Sequence, residues 1–216
     1  KDSLGNLVRD WTSYPGDGVN TEAEADFILG GSTSDTGIYP NLLMNRDWIL
    51  NTRRYDFGDV TISSGKTLTI SGSSSVGFGN LTLNGTLTNS GTSTLTTKSF
   101  TENGTGVMNM SVNNTLNITN GLLVQGVMNV GSNNTLNIRN EATIQGVMNV
   151  GGNSSLNITD MLWIKGSGVV YTNSTGASPN GVGVTINAGD LNIESGGRID
   201  GDGKGYAGGY SQANGV

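Results

Sequence analysis

The chain has 216 residues, a net charge of −6 and 13% charged residues, against roughly 25% in a typical soluble domain. It contains no cysteine and no histidine, which excludes disulfides, thiolate nucleophiles, histidine acid–base catalysis and metal sites that use either residue. An acidic chain without a basic run argues against a nucleic-acid partner, and no apolar stretch approaches the ~18 residues of a membrane-spanning helix. We therefore expect no cofactor, no bound metal, no nucleic acid and no membrane insertion.

The first 57 residues differ in composition from the rest of the chain. Residues 1–59 carry ten of the seventeen acidic residues, whereas residues 65–197 carry only five. The stretch "TEAEADFIL" (21–29) predicts a short helix that has Thr21 as its N-cap and Glu24 at its third position, and that ends at Gly30. We interpret residues 1–57 as an N-terminal segment that either caps the following domain or docks it onto a larger assembly.

Three nearly identical segments lie in the middle of the chain, starting 20 residues apart at Gly106, Gly126 and Gly146. They read "GVMNMSVNNTLNI", "GVMNVGSNNTLNI" and "GVMNVGGNSSLNI". Together with the seven residues that follow it, each segment contains three short runs in which apolar and polar residues alternate, a spacing typical of strands. Glycine, serine and asparagine separate the runs. A 20-residue period with three strands is typical of a solenoid. The sequence therefore predicts an all-β fold, a parallel β-helix (β-solenoid) with coils of about 20 residues.

Weaker repeats extend this pattern on both sides. Glycine recurs at coil intervals, and we expect six or seven coils over residues 58–200, with "TNSTGASPNG" (172–181) as an inserted loop; the recurring glycines are Gly65, Gly85, Gly106, Gly126, Gly146 and Gly166. Residues 201–216 form a predicted glycine-rich tail. The stretch "DGDGKG" (200–205) superficially resembles a calcium loop, but Lys204 occupies a ligand position and no closing glutamate follows, so we predict no metal there.

Asparagine occupies the same positions in successive copies. Stacked side-chain amides can hydrogen-bond along a column, and asparagine tolerates the left-handed conformation that tight corners need. We predict three structural asparagine ladders: Asn109, Asn129 and Asn149; Asn113, Asn133 and Asn153; and Asn117, Asn137 and Asn157.

Valine also recurs, at Val107, Val127 and Val147, beside the first asparagine column. An exposed apolar stripe can mark a partner surface. One interpretation is therefore an interface between copies of this chain, in a homotrimer or a filament. The other is scattered surface valine without a partner, and the sequence leaves both open.

Ten N-x-S/T sequons are present, which in a secreted eukaryotic or archaeal protein would be glycan acceptors. The preferred interpretation is that a chain rich in asparagine, serine and threonine generates sequons by repetition. They lie at Asn80, Asn84, Asn103, Asn109, Asn113, Asn117, Asn133, Asn153, Asn157 and Asn173.

Catalysis by a β-helix would need two carboxylates about 5–10 Å apart. Glu141 and Asp160 occupy similar positions in successive coils and are the best candidate pair. We interpret them as solvated turn residues and predict no catalytic residue.

Two stretches, "LLMNRDWILNTRRYDFGDVTISSGKTLTISG" (42–72) and "GNLTLNGTLTNSGT" (79–92), carry a resemblance to known proteins. They resemble a recurring module of bacteriophage tail fibre and tail spike proteins and of glycine-rich bacterial surface adhesins. The matching residues are Arg46, Asp47, Tyr55, Val60, Ile62, Gly65, Leu68, Gly85, Leu87 and Gly91. The resemblance implies a rigid fibre or adhesin, extracellular or on a virion, without catalytic residues. The 20-residue asparagine repeats depart from that module.

The favoured function is a structural or adhesion component of a phage tail fibre or spike. In this interpretation the chain is a rigid β-helical shaft for host-surface attachment, located in the virion tail. Its expected partners are copies of itself, other tail or surface proteins bound through residues 1–57, and a host-surface glycan. The first alternative is a prokaryotic cell-surface adhesin or extracellular filament subunit. The second is a polysaccharide-processing β-helix enzyme.

Overall fold

The computed structural model describes residues 19–20, 38–39, 42–45, 47–51, 54–173 and 182–202. All regular elements in these ranges are strands, and every strand pair is parallel. In chain order they are β1 (Val19–Asn20), β2 (Ile38–Tyr39), β3 (Leu42–Met44), β4 (Asp47–Asn51), β5 (Arg54–Phe57), β6 (Val60–Ile62), β7 (Thr67–Ser71), β8 (Ser75–Leu83), β9 (Thr86–Asn89), β10 (Thr94–Glu102), β11 (Val107–Met110), β12 (Thr115–Ile118), β13 (Leu122–Val124), β14 (Val127–Val130), β15 (Thr135–Ile138), β16 (Ala142–Ile144), β17 (Val147–Gly151), β18 (Ser155–Ile164), β19 (Val169–Asn173), β20 (Thr185–Ile193) and β21 (Arg198–Asp200).

These strands build a parallel β-solenoid with three faces, as the repeat predicts. Face 1 is the sheet β1-β4-β7-β9-β11-β14-β17-β19-β21. Faces 2 and 3 form one continuous sheet, because the long strands β8, β10, β18 and β20 run through the corner between them. The first half of each long strand lies on face 2 with β5, β12 and β15, and the second half lies on face 3 with β3, β6, β13 and β16. Within the described residues, five complete coils run from Thr67 to Ile164, and β19 and β20 add the strands of a sixth, in agreement with the predicted six or seven.

The register shows directly why the sequence repeats. Met108 pairs with Met128, and Met128 with Met148, so identical side chains stack at intervals of one coil. Outside the three copies the coil length varies, since Thr67 pairs with Thr86 and Val169 pairs with Arg198. The longer of these two coils contains the predicted loop 172–181, most of which lies outside the described residues.

The core consists of columns of inward-pointing side chains, which alternate with outward ones along most of the strands from β3 to β18. Burial of each leucine, isoleucine or methionine in these columns contributes roughly 1.5–3 kcal/mol relative to exposure. The first coils add aromatic rings, and Phe57 packs between Tyr55 and Phe78 with ring centroids 6.0 and 5.8 Å away. Large apolar side chains therefore fill the core at this end, and smaller repeated ones fill it further along.

Strands before residue 58 pair with the following coils. Leu42 pairs with Val60, Trp48 pairs with Leu68, and the Trp48 side chain is buried in the shared core. The described parts of residues 1–57 are thus continuous with the solenoid, while the predicted helix at 21–29 lies outside the described residues. Only residues 201 and 202 of the predicted glycine-rich tail are described.

One set of glycines stacks at the corner between faces 3 and 1, where the coils approach closely. A Cβ at Gly126 would lie 2.2 Å from the carbonyl oxygen of Gly106, which explains why only glycine fits. Gly65 and Gly166 match the interval of the repeat but do not belong to this set. Both have positive φ angles, of 70° and 55°, at turns with open space around them, and Gly168 takes the stacking position. The coil from Gly146 is two residues longer than the repeat, which displaces the glycine.

Candidate functional site: the stacked polar faces

Asparagine ladders run along two faces of the solenoid. On face 1 the Nδ2 of Asn129 donates to Oδ1 of Asn109 at 2.8 Å, and Asn149 donates to Asn129 at the same distance. On face 2 the ladder is longer, because Asn187 extends it by one coil that the repeat did not reveal; its bonds run from Asn137 to Asn117, from Asn157 to Asn137 and from Asn187 to Asn157, at 2.8–2.9 Å. Each amide that donates within a ladder uses one of its two N–H groups, so the second N–H remains for solvent or a ligand.

The third predicted set occupies the turn between faces 1 and 2. Asn113, Asn133 and Asn153 have φ angles of 62°, 58° and 58°, which is the left-handed conformation expected for asparagine at tight corners. All three side chains are exposed, and Asn153 donates to Oδ1 of Asn133 at 2.8 Å. They also belong to sequons, and the preferred interpretation of those sequons, repetition rather than glycosylation, stays a prediction.

A second, buried ladder lies next to this turn and was not predicted. Asn114, Asn134 and Ser154 point inward and are at most 2% exposed. The backbone N–H of Asn114 donates to Oδ1 of Asn134 at 2.6 Å, and that of Asn134 donates to Oγ of Ser154 at 3.0 Å. These side chains satisfy the buried backbone of the corner and hold successive coils in register.

Face 2 presents two parallel rows of polar side chains to solvent. One row consists of hydroxyl side chains. The other is the asparagine row, in which Thr96 occupies the first position, one coil before Asn117. The hydroxyl row consists of Ser75, Thr94, Thr115, Thr135, Ser155 and Thr185. A shallow groove of about 360 Å³ follows the asparagine row, lined by Asn117, Asn137, Asn157, Thr119, Arg139 and Thr159. The groove offers hydrogen-bonding groups once per coil and one positive charge.

The predicted valine stripe lies on face 1 beside the asparagine ladder. Val107, Val127 and Val147 pair in sequence and are each half-buried. The stripe is therefore continuous over three coils, and its role as an interface stays a prediction.

Glu141 and Asp160 do not stack on each other. The Asp160 N–H donates to the carbonyl oxygen of Asn140, and the Leu122 N–H donates to that of Glu141, so the two acids are offset along the coil. Both side chains are exposed. Across the described ranges, no group of three or more acidic or metal-ligating residues comes together, and no helix is long and apolar enough to cross a bilayer.

One carboxyl group lies inside the core of the described solenoid, and its burial was not predicted. Glu102 is fully buried in the column between Leu83 and Val124. Burial raises the pKa of Glu102 to about 8, and the hydrogen bond that its Oε1 accepts from the Met108 N–H, 2.9 Å long, partly opposes this shift. The group is thus protonated near neutral pH.

A small charged cluster lies on face 3 near the C-terminal end of the described solenoid. Trp163 donates from Nε1 to Oε1 of Glu194 at 2.9 Å, and Lys165 Nζ lies 3.7 Å from the centroid of the indole ring. The ring is thereby held by a carboxylate at its edge and a cation over its face.

Comparison with protein-family models, curated proteins and solved structures gave no significant match to this chain.

Proposed function

We propose that this chain is a non-catalytic, rigid β-helical shaft element of a phage tail fibre or spike, located in the virion tail and used for host-surface attachment. The observation that carries the proposal is the uninterrupted stack of parallel coils from β4 to β21. The seven inter-strand steps between these strands span about 34 Å at the usual strand spacing. Such a stack is a stiff segment that longer assemblies can extend.

The stiffness has a specific source in the side chains. In the three near-identical copies, each coil is bonded to the next by the backbone ladder, by the amide ladders on faces 1 and 2, and by the buried bonds at Asn114 and Asn134. Bending the stack would have to break several of these bonds on one side at once. A structural role uses this property directly, and the proposal assigns no catalytic role to the exposed Glu141 and Asp160.

The exposed polar rows support an adhesive role. The groove along Asn117, Asn137 and Asn157 repeats the same donors and acceptors at every coil, and a hydroxyl-rich host-surface glycan could hydrogen-bond to them without chemistry. The half-buried valine stripe supports self-association into a homotrimer or filament. Residues 1–57 are the proposed contact with other tail or surface proteins.

The experiment that tests the proposal is immunogold electron microscopy on the source culture, with antibodies raised against residues 1–216. We expect label on the tails of virus particles. Label on cell surfaces or on extracellular filaments would favour the adhesin or filament alternative. Label confined to the cell interior would overturn both. Light scattering on the purified chain measures the solution mass in parallel, and a trimer is the expected result.

A further inference from the structure

The coil formed by β9 and β10 differs from its neighbours in the chemistry of its core. In the coils from β11 onward to β18, the two inward positions of each face are apolar. In β9 and β10, the second inward position of every face is polar, although each side chain is at most 1% exposed: Asn89 on face 1, Thr97 on face 2 and Glu102 on face 3. One coil therefore carries a polar layer across the whole core.

Apolar layers enclose this polar layer on both sides. The preceding coil places Ile70, Phe78 and Leu83 against it, and the following coil places Met110, Ile118 and Val124 against it. The polar atoms thus have almost no access to water. They depend on partners within the same layer or on nearby backbone.

The polar atoms of this layer are only partly hydrogen-bonded. The Thr97 hydroxyl lies 2.8 Å from the Gly79 carbonyl oxygen, and Asn89 donates from Nδ2 to Oδ1 of Asn114 at 3.0 Å. Asn89 Oδ1 and Glu102 Oε2, in contrast, have no hydrogen-bond partner among the described residues. Burial of polar atoms without partners weakens the packing of this coil relative to its neighbours.

No charged group stands near to compensate Glu102. The strands that flank it, β8, β9, β11 and β13, contain no titratable residue, and the other charged residue of β10, Lys98, is exposed. Burial is therefore the dominant influence on the carboxyl group, and it favours the protonated form.

We propose that the β9–β10 coil is a pH-sensitive joint of the solenoid, which opens more readily as pH rises because opening lets Glu102 release its proton to water. The coils on either side keep their apolar cores and stay folded. The direction of this pH effect follows from proton binding. The closed coil holds the proton and the open coil loses it, so rising pH favours the open coil between the ordinary glutamate pKa and about 8. This device needs neither a partner nor the attachment role.

Hydrogen–deuterium exchange on the whole 216-residue chain tests the proposal. Protection, corrected for intrinsic exchange rates, is compared at pH 5.5 and pH 8.5 for peptides within 94–110 and within 127–144. We expect protection in 94–110 to fall at least roughly tenfold, since one proton is released per opening, while 127–144 changes little. An equal response in both regions would overturn the proposal.

Glu102→Gln is the matched control, because it keeps the size of the side chain and removes the titration. We expect its 94–110 region to show no pH response beyond that of 127–144. Glu102→Leu, which continues the Leu83–Val124 column, serves as a second non-titrating variant if the glutamine variant does not fold. A pH response that persists in either folded variant would contradict the assignment to Glu102.

Discussion

Asn137 lies between Asn117 and Asn157 and bonds to both, donating to the first and accepting from the second at 2.9 Å each. The same residue occupies the same position one coil earlier and one coil later, so one substitution removes two bonds between coils. The repeat in the sequence is thus the direct counterpart of a hydrogen-bonded row on face 2.

Asn137→Ala is predicted to destabilise the solenoid by about 1–2 kcal/mol, because each lost bond contributes about 1 kcal/mol. The measurement is the urea midpoint followed by circular dichroism. Thr119→Ala, at an exposed site in the same groove, is the control and should change the midpoint little. Equal effects of the two substitutions would show that the amide row does not stabilise the fold.

Gly126→Ala is predicted to destabilise the fold by about 2–3 kcal/mol, because the new Cβ would lie 2.2 Å from a backbone oxygen that cannot move freely. Gly104→Ala is the matched control, since a Cβ at that position would have nothing within 4 Å. Thermal unfolding of both variants is compared with that of the unaltered chain. A Gly126→Ala variant as stable as Gly104→Ala would contradict the close approach of the coils.

Asn133 has a φ of 58°, which alanine adopts at a cost of about 1–2 kcal/mol. Asn133→Ala should therefore destabilise the chain by about 1–2 kcal/mol more than Asn133→Gly does. Both variants lose the bond from Asn153, so their difference isolates the backbone term. Denaturant titration measures it, and identical losses in the two variants would argue against a left-handed turn.

The free energy of unfolding is predicted to fall as pH rises from about 5 to 8. Folding raises the pKa of Glu102 to about 8. The stabilisation from the protonated carboxyl group is therefore complete below the pKa of Glu102 in the unfolded chain, and it is lost as pH rises to the pKa in the folded chain. The slope attributable to this group is at most about 1.4 kcal/mol per pH unit. Urea titrations of the unaltered chain and of Glu102→Gln, at pH 5.5 and 8.5, give the difference; parallel pH profiles would mean that Glu102 is not buried as a neutral acid.

The sequence predicts the solenoid well where the repeat is nearly exact. The three copies fix the coil length, the inward columns and the outward asparagines, because stacking requires the same side chain at each step. The repeat does not tell which of two adjacent asparagines points inward, so Asn114 and Asn134 were missed beside Asn113 and Asn133. Their role depends on the left-handed turn, which sends the following side chain into the core.

The other features that were not predicted from the sequence lie where the repeat is weak. Glu102 is the last residue of β10 and precedes "NG", a pattern typical of an exposed turn, and the pairing with Leu83 and Val124 shows that it is buried. Gly166 matches the 20-residue interval, but the coil has two extra residues. The acidic composition of residues 1–57 suggested a separate segment, although Trp48 packs into the same core as Leu68.

Cysteine cross-linking tests the in-register stacking most directly, because the natural chain has no cysteine. Asn109→Cys combined with Asn129→Cys places two thiols on paired neighbouring strands, where the ~4.8 Å spacing lies within the Cα range of a disulfide. Asn109→Cys combined with Asn149→Cys separates them by two strand spacings, beyond that range. Under mild oxidation, with disulfides mapped by mass spectrometry, we expect a rapid intramolecular bond in the first variant only. Bonding that is as fast in the second variant as in the first would contradict a solenoid whose coils repeat every 20 residues.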